Sequence, residues 1–371
     1  MPLTTIQSGM MDSVAQYYGF KNRIINGNMV IAQRGTTSFS NGSGATANFP
    51  VDRFTIYGSQ ASKFTGQQNA ASVTPPAGFI NYLGCTSSSA YAVLASDYFW
   101  IYQRIEGYNI ADLGWGTASA HTVTLSFWVR SSLTGTFGGS ITNSALNRSY
   151  PFTYTISAAN TWEQKAITIA GDTTGTWATN NTSGIEIYFN LGTGSTFSGT
   201  AGAWAAGQFY APTGATSVVG TNGATFYVTG VQFEKGVTAT SFDYRPYGTE
   251  LQLCQRYTYA LSTPGGGATQ YFLSAGGVFS TTTTGFFGFS FPQVMRAVPS
   301  LSPAPTAGNY QIYVPNGGAY QTLTGISLNA VTTSNFALLN IAFASGGTAG
   351  QGFYLNSTAA NSAPIILSAE L

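Results

Sequence analysis

The sequence predicts an all-β protein: a jelly-roll β-sandwich body, a small C-terminal β-domain and a short N-terminal helix. Three observations carry the β assignment. The chain holds 45 Gly and 14 Pro and is 14% aromatic, so it is rich in turn formers and in rings that suit a pleated, half-buried surface. Segments of apolar and polar alternation recur along it, and long Gly, Thr, Asn and Ser stretches separate them. That spacing belongs to sandwiches built from many short strands.

In order from the N-terminus, residues 6–18 place Ile6, Met10, Val14 and Tyr17 at helical spacing. A helix of this length is unstable alone, so its apolar stripe must dock on its own body or on sister chains. Residues 1–20 are therefore the expected attachment and oligomerisation segment, with Ile6, Met10 and Val14 as contacts. An apolar segment from 21 closes at Gly35, and the Ser/Asn/Gly run 38–48 is a loop. In 121–130, Val123, Leu125, Phe127 and Val129 share one face, while Thr124, Ser126, Trp128 and Arg130 share the other. Phe152, Tyr154 and Ile156, and then Ile185, Ile187 and Phe189, alternate in the same way. Around 225–233 the alternation breaks at Gly230, where a bulge is expected. These strands define a sandwich over 21–247. Glu250, Leu251, Leu253, Cys254 and Tyr257 have a helical period, so 248–261 is expected to be a connecting helix. Residues 262–371 form the C-terminal β-domain, in which no acidic residue occurs before Glu370.

Only 7% of the residues are charged, against roughly 25% in an ordinary soluble domain. The surface must then be made polar with hydroxyls and amides, which pack against identical neighbours or against sugars without burying ions. This composition suits a structural particle component better than an enzyme. The formal net charge of +1 supplies no basic footprint for nucleic acid. No apolar run has the length of a membrane span, and no cationic region followed by an apolar core opens the chain. Neither membrane insertion nor a signal peptide is expected. The two cysteines, Cys85 and Cys254, read as buried small hydrophobes, with a disulfide in an oxidising compartment as the alternative. Together with the one histidine, His121, they are too few for a zinc site.

Several segments resemble a family of phage and prophage tail-fibre and minor virion proteins. They are Asn22-Arg23-Ile24-Ile25-Asn26-Gly27 with Gln33-Arg34-Gly35, Asp52-Arg53-Phe54, Gln103-Arg104-Ile105-Glu106-Gly107 and Thr124-Leu125-Ser126-Phe127-Trp128-Val129. Thr229-Gly230-Val231-Gln232-Phe233-Glu234-Lys235-Gly236 and the run 242–257 complete the set, which spans about residues 21 to 257 in the family's order. Phe291-Pro292, Met295-Arg296 and Ala369-Glu370-Leu371 look like the small distal domains of such fibres. The resemblance implies a body similar to carbohydrate-binding modules, trimerisation, and incorporation into a virion appendage. Fibre, baseplate, neck and decoration proteins share such a body.

Sugar recognition uses flat aromatic rings, with amides and hydroxyls reading the hydroxyl pattern. Trp128 with Arg130, and Trp100 with Tyr102, sit opposite the apolar faces of their strands and are candidate platforms. The alternative is that a neighbouring chain covers that face and the rings are simply buried. In the C-terminal domain Tyr271, Phe272, Tyr310, Tyr313 and Tyr320 are the candidates for receptor choice. Glycan hydrolysis needs two carboxyl groups about 5–9.5 Å apart. Among the 12 acidic residues, Asp52 beside Arg53 and Glu234 beside Lys235 read as structural ion pairs or as acceptors of chain-end hydrogen bonds; Glu106, Asp243 and Glu250 also lie in the shared segments. Asp172, in a Gly-Asp-Thr-Thr-Gly turn, and Asp243 are the loop or edge acids to weigh as calcium ligands, but no dense acidic loop supports either, and the turn explains Asp172 without a metal.

The expected function is a trimeric tail fibre that binds a host surface glycan noncovalently, with no catalytic residues, cofactor or metal. Its partners would be itself, other tail or baseplate proteins and the glycan, and its location a virion tail appendage assembled in the host cytoplasm. A connector, neck or capsid-decoration fibre and a glycan-degrading tailspike are the alternatives.

Overall fold

The computed structural model describes residues 20–44, 46–261, 271–314, 319–358 and 364–371, with backbone alone for 271–275 and 319. Ile6, Met10, Val14 and the helix expected over 6–18 lie outside the described residues. The protein is mostly β, and its chain contacts divide it into two compact units, 1–32 with 36–247 and Leu371, and 33–35 with 248–370.

The first unit is a β-sandwich. One sheet has six strands, in spatial order Phe39–Ser40, Phe64–Gln68, Leu83–Ser87, Thr225–Lys235, Val123–Ser131 and Glu163–Ile169. The other has seven: Ala205–Ala206, Arg148–Ile156, Gly135–Asn143, Ser183–Thr193, Tyr98–Glu106, Phe54–Gly58 and Asn48–Val51. Successive strands cross repeatedly between the sheets, and every pairing within the two sheets is antiparallel. The alternation read from the sequence explains the packing. Val123, Leu125, Phe127 and Val129 face Ile185, Ile187 and Phe189 across one core, all fully or almost fully buried.

The expected bulge is present. The pairing of Thr225–Lys235 with Val123–Ser131 slips between Thr229 and Gln232, and Gly230 takes φ +60° at the slip. A side chain there would be strained by the left-handed backbone and would meet Phe79 Cζ at 2.6 Å. Gly139 serves a different purpose. A Cβ at this position would lie 1.9 Å from the Tyr188 carbonyl oxygen, so glycine permits the close approach of two core strands.

The segment carrying Asn22 to Gly27 plugs the sandwich rather than forming a strand. Asn22 Oδ1 accepts Ile24 N and Phe233 N at 2.9 and 3.0 Å, and the Gln103 amide both donates to Ile25 O and accepts its N–H at 2.9 Å. Asn26 Nδ2 donates to Ile31 O and Asp52 O, while its Oδ1 accepts Ile31 N. Buried backbone outside a sheet needs such partners, and these amides supply them.

The second unit holds a closed six-stranded barrel, in order Tyr271–Phe279, Thr284–Ser290, Phe336–Phe343, Ala319–Leu328, Tyr310–Val314 and Gly352–Ser357. Its interior is filled by side chains such as Phe287, Ile312, Leu339 and Leu355. Beside it, Thr258–Leu261, Ile365–Ser368 and Ser300–Leu301 form a three-stranded sheet. The helix expected over 248–261 is shorter than its apolar period suggested. It covers Tyr247–Gln255, the one α-helix among the described residues, and Thr258–Leu261 is a strand. Pairing with Ile365–Ser368 removes the last four residues from the helix, a long-range preference that local periodicity does not register.

Candidate functional site

Three outward-facing aromatic groups stand in the two units, and strand register decides which of them offers an open ring.

Trp100 and Tyr102 lie on the outer face of the seven-stranded sheet, opposite core residues Phe99 and Ile101. They are not open. Trp100 is only 5% exposed, stacked on Tyr98 at 4.4 Å between ring centres and covered by Tyr210 at 4.2 Å. Tyr102 stacks on Tyr188 at 5.3 Å. The covering rings Phe197 and Tyr210 come from this same chain, so no neighbour is needed to bury the platform. Glu186 anchors the far side, accepting from Arg104 Nε at 2.9 Å and from the Tyr188 hydroxyl. Burial, reinforced by Glu186, raises the Tyr188 hydroxyl well above the usual phenol range. Trp100 Nε1 is buried without a hydrogen-bond partner.

Trp128 and Arg130 occupy the outer face of the six-stranded sheet, as the alternation predicted. Trp128 is half-buried, with Gln164 and Thr229 opposite it on the adjacent strands. Arg130 is engaged by its own chain, its guanidinium 5.4 Å from the Tyr227 ring centre and its Nε donating to Asn160 O at 2.9 Å.

In the barrel, register sorts the tyrosines named from the sequence. Tyr310 is 1% exposed and belongs to the interior with Ile312, so its ring presents no face outward. Burial pushes its hydroxyl up to about 12. Tyr271 lies in a barrel strand opposite Ser357, where only the backbone is described. Tyr313, one step out of phase with Ile312, faces outward and stands opposite Tyr320 on one side and Tyr354 on the other. The three rings form a row across three adjacent strands, with centres 4.8 Å apart for Tyr313 and Tyr320 and 6.5 Å for Tyr313 and Tyr354. Tyr320 is 43% and Tyr354 37% exposed. Tyr354 was not among the sequence candidates. Its alternation with Phe353 and Leu355 was readable, but its place beside Tyr313 depends on barrel closure.

The carboxylates are occupied. Asp172 accepts Arg148 Nε and Nη2 at 2.7 and 2.8 Å and closes its own turn through Thr174. Asp97 accepts Ser59, Tyr91 and the Leu94 N–H, and Asp243 accepts the Asn22 N–H at 3.4 Å. Glu234 does not pair with its neighbour Lys235. It accepts Thr240 N and Oγ1 at 2.9 and 2.6 Å, while Lys235 Nζ reaches Asp112. Adjacent residues on a strand project to opposite faces, which separates the pair. Asp52, Glu106 and Glu250 are buried and partnered. Among the described residues no group of three His, Cys, Asp or Glu side chains is placed to hold a metal. Cys85 and Cys254 are free thiols, both buried. No helix among the described residues is long and apolar enough to cross a membrane.

No protein-family profile and no curated protein sequence matches the chain. Among solved structures it is similar to the enzymatically active domain of tailspike protein 4 from bacteriophage CBA120, at 13% identity over 58% of this chain and 21% of that one, with a TM-score of 0.30. A family 11 carbohydrate-binding module from Clostridium thermocellum, in complex with a β-1,3-1,4-mixed-linked tetrasaccharide, matches at 11% identity over 55% of this chain and 99% of that one, with a TM-score of 0.27. A putative sugar binding protein from Bacteroides thetaiotaomicron matches at 12% identity over 58% of this chain and 100% of that one, with a TM-score of 0.29. Likenesses this weak carry no argument about what the chain does.

Proposed function

We propose that this chain is a noncatalytic phage virion protein, a trimeric tail fibre that adheres to a neutral or weakly charged host surface glycan. The observation that carries the adhesive reading is the Tyr320–Tyr313–Tyr354 row, two of whose rings are more than a third exposed. Aromatic rings on adjacent barrel strands, tilted 37° and 20° to one another, offer apolar surface to the C–H faces of sugars. The virion and trimer parts rest on the resemblance of residues 21–257 to tail-fibre and minor virion proteins and on the charge-poor composition. Binding without cleavage is favoured because the described carboxylates are committed to structural partners.

The test uses the full chain on host cells and on extracted surface polysaccharide, comparing wild type with Tyr320→Ala and Tyr354→Ala. A tyrosine side chain of ~200 Å² that is about two-fifths exposed can bury ~80 Å², at most about 2 kcal/mol at ~25 cal/mol per Å². Each substitution should therefore weaken binding by up to about thirtyfold, with no release of reducing ends in any sample. Unchanged binding by both folded variants refutes the site. Sustained depolymerisation refutes the noncatalytic reading.

A further inference from the structure

The face that carries the tyrosine row also carries a second row. Gln311 stands opposite Thr322 on one side and Asn356 on the other, two residues along the same three strands from Tyr313, Tyr320 and Tyr354. Side chains two apart on a strand point the same way, about 6.6 Å apart, so the polar row runs parallel to the aromatic one. Thr322 is exposed. Neither its hydroxyl nor the Gln311 amide makes a hydrogen bond among the described residues, and both amide atoms of buried Asn356 lack a partner. Asn356 is fully buried with both amide atoms unsatisfied, which is unusual because buried polar groups are normally hydrogen-bonded.

Charge is absent from the same face. Between Tyr257 and Ala369 the only charged residue is Arg296, and its Nε and Nη2 donate to Ala369 O and Glu370 O at 2.8 and 3.0 Å. No barrel cation remains to compensate a carboxylate or phosphate laid against the rings, and desolvating an unpaired anion is costly.

We propose, resting on the reading that the tyrosine row binds carbohydrate, that its ligand is a neutral pyranose oligosaccharide lying across the three strands, with Gln311 and Thr322 reading the hydroxyls along one edge. Rings alone accept any sugar with a flat apolar face. The amide and hydroxyl row selects among them, because a sugar lacking the matching hydroxyl leaves these groups unpaired on contact. Acidic polysaccharides are discriminated against by the missing cation.

The experiment measures binding of the full-length protein to neutral gluco-, galacto- and manno-oligosaccharides, to a polyuronate and to a sialylated oligosaccharide, at low salt and at about 0.5 M salt, where surface charge effects are largely screened. Gln311→Leu, at a mostly buried position on the outer face, and Thr322→Val, at an exposed one, are compared with Tyr320→Ala, with melting temperatures as a check on folding. Expected are salt-independent binding of at least one neutral oligosaccharide and a loss of about tenfold in Gln311→Leu, roughly the value of one hydrogen bond. A smaller loss is expected in Thr322→Val. Neutral binding that falls in Tyr320→Ala but is unchanged in both polar variants overturns the inference and leaves the adhesive site standing. Tighter, salt-sensitive binding of the polyuronate or sialylated sugar overturns it as well. Binding to none of these sugars overturns the adhesive site and the inference together.

Discussion

Asp172→Asn separates an ion-pair turn from a metal loop. In the structure the Asp172 carboxylate is 2% exposed and takes both ends of the Arg148 fork, whose side chain is 18% exposed; its Oδ1 also accepts Thr174 N and Oγ1 at 3.1 and 3.0 Å. Asparagine keeps the volume and can still accept the Thr174 bonds, but it presents an NH₂ to one guanidinium N–H and carries no charge. Removing one partner of a fully buried pair costs about 3–5 kcal/mol, and partial hydration of Arg148 lowers this to about 2–3 kcal/mol. At about 2–4 °C per kcal/mol for a unit of this size, the melting temperature should fall by about 5–10 °C at neutral pH. Burial alone would raise the Asp172 pKa, but the Arg148 and Thr174 hydrogen bonds outweigh it and hold the carboxyl below its ordinary value. A depressed folded value means that the stabilisation is complete above the unfolded pKa of about 3.9 and is lost as pH falls through the folded value. The gap between wild type and variant should therefore stay constant near neutrality and close below about pH 4. Thermal melts at pH 7 and in steps down to about pH 2, with and without a chelator, measure all of this. A variant within about 0.5 kcal/mol of wild type, a gap that persists in acid, or a wild-type melting temperature lowered by chelation would refute the ion-pair account.

Asn26→Ala should cost about 2–4 kcal/mol in urea unfolding, because it strips partners from Ile31 N, Ile31 O and Asp52 O and places alanine at φ +61°. Unfolding within about 1 kcal/mol of wild type would show that the Asn22–Gly27 segment does not depend on this clamp. Light scattering of the full chain at micromolar concentration should give the mass of three chains. A folded monomer would contradict the trimer and, with it, the fibre reading.

Alternation alone placed some of the sandwich strands, because a period of two assigns each side chain to one face wherever the strand pairs, but it missed others, among them Phe39–Ser40 inside the expected 38–48 loop. It put Val123, Leu125, Phe127 and Val129 inward and Trp128 and Arg130 outward before any partner was known. The bulge at Gly230 was legible for the same local reason, as a break in the alternation. Composition also bounded the second unit, whose stretch from Tyr257 to Ala369 has a single charge. What an outward face meets is a different matter, since the covering residues come from elsewhere in the chain. Trp100 and Trp128 read alike in the sequence, but the loop bearing Phe197 and Tyr210 closes over the first and leaves the second half-exposed. Thr258–Leu261 left the helix for a strand because Ile365–Ser368 pairs with it. Tyr313 met Tyr320 and Tyr354 only when the barrel closed, and Tyr310 turned inward by the same register. Local sequence sets which way a side chain points, whereas its exposure and its neighbours follow from pairings between distant segments whose energies no short window contains.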